Sequence, residues 1–569
     1  MTRATRSESF VPPPAARNGF PLLALVATLA LFLALAHGAA LTAPFFSDDY
    51  ILIDKVRGAP WFDLFRPRAL AYGWYRPLGR ELHFWAILRL FPLDPLPFHA
   101  ACFALWLSTL GLYAALARRL VGEGPAALAT AGAAALAAWG VPIEWGPGAQ
   151  ELWMMVLALL SLHAFARARI LLATLALGAA LLCKESAAIV PGIAWAWSLA
   201  IDRRTRAQAA RAVAPLASLV AVWALLHPLL GGRLWGNLVA PLPPAPAAPL
   251  TALTRTLLSL VNLDLRPAPL SGWRHALGAA VPSALVLGSL AALSARASTP
   301  PQGDGAPSVP SPGRVVVLGI AWALFGWVPL FWPGLSWQAY YTLFGSLGVW
   351  LALARFLARR RSLATALIFG IALLRGARAD TPAREWGNER LQRFGKSFMQ
   401  HTERFLRDHL PSLPPHARLY FTAAPRGVVF LTGHGDAPAL RVWYHDPTIE
   451  GRYWSDYRER GRDEPAGPDY FFRYDSLASW IEVVRGPEDV RRARAIDPRW
   501  EQDHARLADV LALGDDWERA ADEYRKLARE APDHPDYAHN VAVCLEAAGD
   551  TAAARAWRNR APKEVSGGR

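Results

Sequence analysis

Cysteine is scarce in this chain, which contains three cysteines among 569 residues. Cys102 and Cys183 lie in or beside apolar segments, and Cys544 lies near the C-terminal end. This spacing fits neither a disulfide framework nor a metal-binding motif. The sequence therefore predicts no disulfide-stapled fold and no metal ligands, and it leaves open whether a divalent metal is required.

Acidic residues are also in short supply, with 46 Asp and Glu against 60 Lys and Arg, and the formal charge is +14. In a soluble protein this excess would indicate nucleic acid as a partner. Here the basic residues lie mainly in short segments between apolar runs, where the tendency of cytoplasmic loops to carry Lys and Arg explains them. We therefore expect no nucleic-acid partner.

Long apolar runs are abundant before about residue 376 and absent after it. Each run is close to the ~20 residues that a helix needs to cross a bilayer. The first run, Phe20 to Leu41, is too long for a signal peptide and predicts a retained helix. The sequence thus predicts a polytopic α-helical membrane protein with about eleven transmembrane helices, at residues 20–41, 98–117, 124–141, 151–166, 169–183, 187–201, 212–230, 275–294, 315–332, 339–356 and 362–375.

The distribution of arginine predicts the orientation of these helices. A cytoplasmic N-terminal tail, residues 1–19, places the basic segments between spans on the cytoplasmic side. Within the membrane domain, residues 20–376, the segments 42–97 and 231–274 are then outer loops, and the Pro-, Gly- and Ser-rich segment 298–313 is a disordered cytoplasmic linker. An odd number of spans puts the C-terminal region outside the membrane, on the extracytoplasmic face.

The C-terminal region has the composition of a soluble protein and divides in two. Short β-like runs at 417–422 and 428–431 predict a small α/β domain within residues 377–497. Residues 498–562 have an approximate repeat of 34 residues that aligns Ala508 with Ala542, Leu511 with Leu545, and Ala520 with Ala554. This pattern predicts at most two tetratricopeptide-like units, which offer a surface for a protein partner.

Charged residues at the ends of apolar segments are the candidate functional residues, because an unpaired charge in hydrocarbon is costly and usually marks a function. Each also has an ordinary explanation: a helix N-cap for the aspartates, a solvated helix end for Glu151, a self-neutralising pair for Lys184 and Glu185, and a lipid-facing position for Arg76. The predicted topology places all of them near the outer membrane surface: Asp48, Asp49, Arg76, Glu144, Glu151, Lys184 and Glu185.

Five short motifs resemble those of the polytopic GT-C glycosyltransferases, in particular protein O-mannosyltransferase-like proteins that carry tetratricopeptide repeats. The resemblance covers most of residues 20–375 and the tail, and two positions depart from it. Val141 stands where the family has histidine, and Tyr340 stands where it has arginine. The motifs are Asp48-Asp49-Tyr50, Tyr75-Arg76-Pro77-Leu78, Pro97-Phe98-His99, Pro142-Ile143-Glu144 with Gln150-Glu151-Leu152, and Cys183-Lys184-Glu185-Ser186.

The resemblance implies transfer of a sugar from a polyprenyl-phosphate carrier to an acceptor hydroxyl of a protein, envelope glycan or lipid outside the membrane. A carboxylate at Asp48 or Asp49 would take the acceptor proton, and Glu144 would position the acceptor or hold a basic side chain. Arg76 and Lys184 would bind the donor phosphate. Tyr50, Glu151, Glu185 and Tyr341 would support these groups.

Two other classes of function fit parts of the sequence. A non-catalytic scaffold would use the tail to recruit an envelope partner, with the helix bundle as an anchor, but a single helix suffices for anchoring. A transporter would show paired spans broken by Gly or Pro in corresponding halves, and no such pair is evident. A composition rich in Ala, Arg and Pro favours a bacterial inner membrane protein.

Overall fold

The computed structural model describes residues 21–67, 74–230, 232, 249–264, 270–296, 310–331, 337–380, 389–421, 437–453, 460–475, 479–482, 505, 508, 512, 517–530 and 534–560. The regular secondary structure of the membrane part is entirely helical in these ranges. Its helices are α1 Leu22–His37, α2 Asp48–Val56, α3 His83–Leu90, α4 Pro95–Val121, α5 Glu123–Ala134, α6 Gly140–Glu144, α7 Ala149–Phe165, α8 Ile170–Leu181, α9 Val190–Ala200, α10 Arg206–Leu229, α11 Pro249–Ser259, α12 Leu270–Arg296, α13 Pro312–Trp327, α14 Leu343–Arg359 and α15 Arg361–Asp380.

Seven helical segments in the described ranges are long and apolar enough to cross a membrane. Large leucines on these segments, such as Leu225 and Leu229, are exposed on the protein surface, as side chains that face lipid are. The predicted class, a polytopic α-helical membrane protein, is confirmed. The seven segments are Leu22–Thr42, Pro95–Val121, Gly146–Phe165, Arg206–Leu229, Leu277–Arg296, Pro312–Phe331 and Ala339–Arg359.

The other four predicted spans are also helical, but they are bent, short or more highly charged. Residues 124–141 form a helix pair, Glu123–Ala134 and Ala137–Glu144, bent by 63°. Helices α8 and α9 have 12 and 11 residues, and α15 carries arginine in its last turn. Counting the bent pair as one span gives up to eight segments by length and composition.

Asn262 satisfies the backbone groups that the bend between α5 and residue 137 releases. Its side-chain amide donates to the carbonyl oxygens of Ala135, at 2.9 Å, and Ile371, at 2.8 Å. Its Oδ1 accepts from the backbone N–H of Ala137 at 2.8 Å. Irregular backbone inside a membrane protein persists only where protein groups or water satisfy it, so this side chain stabilises the bend and ties it to α15.

Small residues let neighbouring spans approach closely. A Cβ on Gly348 would lie 2.5 Å from the carbonyl oxygen of Gly319, so α13 and α14 pack backbone against backbone at this point. Tyr113 of α4 reaches the same region, where its hydroxyl donates to the carbonyl oxygen of Leu347 at 2.8 Å. The spans therefore share one continuous buried core.

The soluble region begins with a long helix and a small sheet. Strand β1 pairs in parallel with both β2 and β3, β4 pairs antiparallel with β3, and the order is β2-β1-β3-β4. The predicted run 417–422 contains β1, whereas the run 428–431 lies outside the described residues. The elements are α16 Glu389–His409, β1 Arg418–Phe421, α17 Pro438–Tyr444, β2 Glu450–Tyr453, β3 Asp469–Asp475 and β4 Ser479–Glu482.

Three further helices follow: α18 Trp517–Glu530, α19 Pro535–Ala548 and α20 Thr551–Arg558. Ala508, Ala520, Ala542, Leu545 and Ala554, which the repeat aligns, are buried together in one small core. The tetratricopeptide assignment itself stays a prediction. The N-terminal tail 1–19, residues 298–309 of the predicted linker, most of 231–248 and Leu511 lie outside the described residues.

The first loop and the soluble region share a hydrophobic core, in which Phe46 and Tyr50 lie in one cluster with Met399, Leu419 and Trp443. Segments that pack together outside the bilayer lie on the same membrane face. An even number of crossings must therefore separate residue 56 from residue 389, and the ten spans predicted after the first loop meet this condition.

We expect Asn262→Ala to destabilise the protein, because it leaves the carbonyl oxygen of Ala135 and the N–H of Ala137 without this partner at the bend. Each unsatisfied group costs about 1–3 kcal/mol. Thermal unfolding in detergent would measure the loss, with Ser283→Ala, which removes one bond to the carbonyl oxygen of Ala280, as control. Equal melting temperatures for the two variants would contradict this role of Asn262.

Candidate functional site

A cavity of about 160 Å³ opens where the first loop meets the start of α7, the end of α8 and the start of α14. Three cationic side chains, four aromatic rings and one carboxylate line it. The sequence predicted four of the lining residues as site residues, and they come from four separate segments: Asp48, Arg76, Lys184 and Tyr341. The full lining is Asp48, Leu52, Trp74, Arg76, Arg80, Trp145, Pro147, Gln150, Lys184, Tyr340 and Tyr341.

Arg76 is held by a two-point ion pair with Glu185. Its Nε donates to Oε2 of Glu185 at 2.9 Å, and its Nη2 pairs with Oε1. Its Nη1 donates to Oε1 of Gln150 at 2.9 Å, and its guanidinium lies 5.2 Å from the ring centre of Trp74. Burial alone would raise the pKa of Glu185, but Arg76 outweighs it and holds that pKa below its usual range. Arg76 is therefore fixed as a cation at the cavity wall.

Lys184 is the second fixed cation. Its ammonium group pairs with Glu151 of α7, and both side chains are buried. The same Nζ lies 4.4 Å from the ring centre of Tyr341 and 5.1 Å from that of Tyr340, within range of cation–π attraction. The predicted supporting residues Glu151, Glu185 and Tyr341 thus each contact one of the two cations.

Close backbone contact brings these cations together. The segment Pro77–Leu82 is a π-helix, and the N–H of Leu78 donates to the carbonyl oxygen of Leu182 at 3.2 Å. A Cβ on Gly79 would lie 2.9 Å from Cβ of Cys183 and 3.1 Å from Cα of Gln150. Because glycine has no Cβ, the segment after Arg76 can lie against both the end of α8 and the start of α7.

Asp48 and Asp49 begin α2 but occupy different environments. Asp48 lines the cavity and is partly buried. Asp49 lies below the surface, at 2% exposure, where its Oδ2 accepts from the N–H of Phe46 at 2.7 Å. Ser47, immediately before them, has φ 61° and ψ −126°, a backbone conformation that residues other than glycine rarely adopt. The chain is therefore strained at the point that aims Asp48 at the cavity.

Burial raises the pKa of Asp49 to about 7, opposed by the hydrogen bond from Phe46 and by the charge of Lys396. A carboxyl group in this position exchanges its proton near neutral pH. Gly146 packs directly against Oδ1 of Asp49, in the turn that carries Trp145 and Pro147 into the cavity lining. Asp49 thus connects α2 to the opposite wall of the cavity.

Glu144 and Tyr50 lie away from the cavity lining. The carboxylate of Glu144 lies 3.3 Å from Nδ1 of His37 in α1, and Lys396 donates to its carbonyl oxygen at 3.0 Å. Tyr50 is buried and accepts a hydrogen bond from Nε1 of Trp443 at 3.1 Å, on the face of α2 that meets the soluble region. The structure thus places both residues outside the cavity, in the elements that pack around it.

Several lining residues were not predicted as site residues. Arg80 lies one turn after Arg76, donates to Glu81 at 2.7 Å and to the carbonyl oxygen of Trp74 at 2.8 Å. Lys55 also donates to Glu81, at 2.8 Å, and these cations keep the pKa of Glu81 low although burial would raise it. Gln150 is part of a predicted motif, and Trp74 and Trp145 each adjoin one, so proximity to the motifs was the available signal.

The arrangement can bind an anion beside a carboxylate. Arg76, Arg80 and Lys184 line the cavity, whereas their carboxylate partners Glu185, Glu81 and Glu151 stand behind them. The lining therefore presents positive charge, with Asp48 as its acidic member. Among the described residues, His, Cys, Asp and Glu side chains form no group of three or more that could hold a metal ion.

Lys184→Met should destabilise the protein, because it leaves Glu151 buried without its cation. Removing one partner of a buried ion pair costs about 3–5 kcal/mol. The double variant Lys184→Met with Glu151→Gln removes both charges and should recover most of the melting temperature in detergent. A double variant as unstable as Lys184→Met would show that this pair does not hold the cavity wall.

The raised pKa of Asp49 predicts a pH dependence of stability. Between about pH 4 and the folded pKa of about 7, the folded protein keeps a proton that the unfolded chain releases, so stability falls as pH rises. Proton binding by Asp49 contributes on the order of 4 kcal/mol to the free energy of unfolding, and this contribution is fully present below the unfolded pKa. Melting temperatures at about pH 5 and about pH 8 should differ more in the natural protein than in Asp49→Asn. Identical pH profiles would contradict the burial of an ionisable group at this position.

No family model matches the chain, and no curated protein matches its sequence. Two solved structures of ArnT from Cupriavidus metallidurans resemble it. The apo structure is 15% identical with a TM-score of 0.39, and the match covers 75% of this chain and 85% of the ArnT chain. The structure bound to undecaprenyl phosphate is 13% identical with a TM-score of 0.38, and the match covers 85% of this chain and 91% of the ArnT chain. At these values neither likeness assigns a family or an activity to this chain.

Proposed function

We propose that this chain is a membrane glycosyltransferase of the GT-C type, which moves a sugar from a polyprenyl-phosphate-linked donor to an acceptor hydroxyl on the extracytoplasmic face. The observation that carries the proposal is the single cavity that Asp48, Arg76 and Lys184 line together. A carboxylate beside two fixed cations at the membrane edge matches the two needs of this reaction, a base for the acceptor and positive charge for the departing phosphate.

In the proposed reaction, Asp48 takes the proton of the acceptor hydroxyl as the acceptor oxygen bonds to the anomeric carbon of the sugar. The bond from that carbon to the carrier phosphate breaks, and the phosphate leaves with the electron pair. Arg76 and Lys184 stabilise the negative charge that develops on it. Of the two aspartates, we assign Asp48 as the general base, because Asp48 lines the cavity whereas Asp49 is buried beneath the cavity surface.

The buried carboxylates have a distinct role in this proposal. Glu185 and Glu151 hold the cations in one geometry before the donor arrives, so binding requires little reorganisation. Asp49 and Glu144 fix the two walls of the cavity. Tyr340, at the position where the resembling family has arginine, places an aromatic ring near Lys184 instead of another charge.

The proposal extends to location and domain organisation. The distribution of arginine favours a cytoplasmic N-terminus in a bacterial inner membrane, which puts the cavity and the soluble region outside. We assign residues 20–376 to the membrane domain, 377–497 to an α/β domain and 498–562 to tetratricopeptide-like repeats that bind a protein partner. A scaffold without catalysis has no use for a cavity with three paired cations, so the enzyme is the better reading.

Undecaprenyl phosphate tests the phosphate site without knowledge of the sugar or acceptor. It should raise the melting temperature of the full chain in detergent, because a ligand that binds the folded state stabilises it. Replacing a charged hydrogen-bond partner costs about 1.5–3 kcal/mol, or about 10- to 100-fold in affinity. We expect this loss in Arg76→Gln with Glu185→Gln and in Lys184→Met with Glu151→Gln, which keep the buried charge balanced.

Arg89→Met is the control for nonspecific charge, since Arg89 is an exposed arginine stacked on Trp85 at 5.4 Å, outside the cavity lining. Unchanged affinity in both double variants would remove the phosphate assignment. If Arg89→Met weakened binding as much as they do, the lipid would be binding to surface charge in general.

The base assignment needs a turnover assay with a panel of polyprenyl-phosphate-linked sugars in membranes. Asp48→Asn should lower turnover by about 100-fold or more, the usual contribution of a general base. Asp63→Asn, an acid of the same loop that pairs with Arg66, should leave it unchanged. Full activity in Asp48→Asn would reject Asp48 as the base, and an inactive natural protein on every donor would count against the proposed reaction.

A further inference from the structure

Helix α2 carries Asp48 in its first turn but has nine residues, fewer than an isolated helix needs to be stable in water. It follows the strained Ser47 and sits outside the spans. Its position must therefore come from packing against other elements. On the side away from the cavity, that packing is with α17 and its neighbours in the soluble region.

Arg441 of α17 forms an ion pair with α2. Its Nε and Nη2 both reach Oδ2 of Asp54, at 2.7 Å and 2.6 Å. Arg57, at the end of α2, contacts both partners: its Nη1 donates to the carbonyl oxygen of Arg441 at 2.7 Å, and its Nη2 lies 3.0 Å from Asp54. Two arginines and one aspartate thus lock the C-terminal end of α2 to the soluble region.

Trp443 holds the first turns of α2. Its Nε1 donates to the hydroxyl of Tyr50 at 3.1 Å, and the two rings meet edge to face at 5.6 Å. Tyr50 follows Asp48 and Asp49 by one or two residues, so a shift of Tyr50 moves both carboxylates. Burial raises the pKa of Tyr50 far above its usual range, so it stays a neutral hydroxyl.

The soluble region also reaches the opposite wall of the cavity. Lys396 of α16 donates to the carbonyl oxygen of Glu144 at 3.0 Å, one residue before Trp145, which lines the cavity. Gly395 packs against the ring of Phe46 so closely that a Cβ there would clash with it. Helices α16 and α17 therefore contact both segments that flank Asp48.

We infer that the soluble region is a clamp that sets the position of Asp48, with Arg441 and Trp443 as positioning residues. This inference rests on the proposed function, because it assigns the clamp to the reaction that Asp48 would perform. The contacts themselves join a helix before most of the spans to a domain after all of them. The soluble region is thus part of the active site's framework, in addition to any role of its C-terminal helices.

Hydrogen–deuterium exchange of the full chain in detergent tests the clamp apart from catalysis. Arg441→Gln should speed exchange of the α2 amides by about tenfold or more, since exchange reports local opening. Arg441→Lys, which keeps the charge, should restore part of the protection, and Trp443→Phe should loosen the first turns.

Arg460→Gln is the matched control. Arg460 pairs with Asp469 in the same region at 3.0 Å, with side chains 17% and 20% exposed against 13% and 14% for Arg441 and Asp54. It should leave α2 exchange unchanged. Unchanged α2 exchange in Arg441→Gln, or an equal increase in Arg460→Gln, would overturn the clamp.

Kinetics then test the positioning role. Arg441→Gln should lower kcat by about 10- to 100-fold, because a small displacement of a reacting group has effects of this size. Its Kd for undecaprenyl phosphate should stay within about twofold, since Arg76 and Lys184 are untouched. A faster-exchanging α2 with normal kcat would overturn the positioning role. If the natural protein transfers no sugar, the proposed function fails, and the exchange result still decides whether the soluble region holds α2.

Discussion

The buried ion pairs behind the cavity wall are the interaction on which the site depends. Arg76 with Glu185 and Lys184 with Glu151 place four charges where water is largely excluded. A single charge there would be strongly unfavourable, and attraction to a well-placed partner offsets most of that penalty. The pairs therefore contribute little net stability but require that the loop of Arg76, the start of α7 and the end of α8 meet in one arrangement.

That arrangement explains why glycine and asparagine occupy their positions. Gly79 permits the close approach that brings Arg76 to the end of α8, and Asn262 satisfies the bent backbone between α5 and residue 137. Neither residue touches a substrate in the proposed reaction. Both allow irregular backbone among packed helices, where unsatisfied polar groups are costly, and such backbone shapes a cavity between helices.

Much of the fold could be predicted because hydrocarbon imposes a simple length rule. Long apolar runs such as 212–230 gave spans near their observed bounds, whereas α8 and α9 are shorter than the rule requires. Charge next to apolar segments also identified Arg76, Lys184 and their partners. Trp145 and Arg80 were missed, because each lies just beyond a motif, where neither residue type carries a distinguishing pattern. Their place in the cavity depends on tertiary packing alone.

The difference between Asp48 and Asp49 shows what sequence reasoning cannot resolve. Two adjacent carboxylates look equivalent in a motif, yet successive residues of a helix point about 100° apart. Once Tyr50 is fixed against Trp443, one aspartate must face the cavity and the other must lie under Gly146. The buried one holds its proton to about neutral pH, and the lining one faces two cations. The two roles are therefore set by the soluble region, nearly four hundred residues away in sequence, and a local motif carries no information about it.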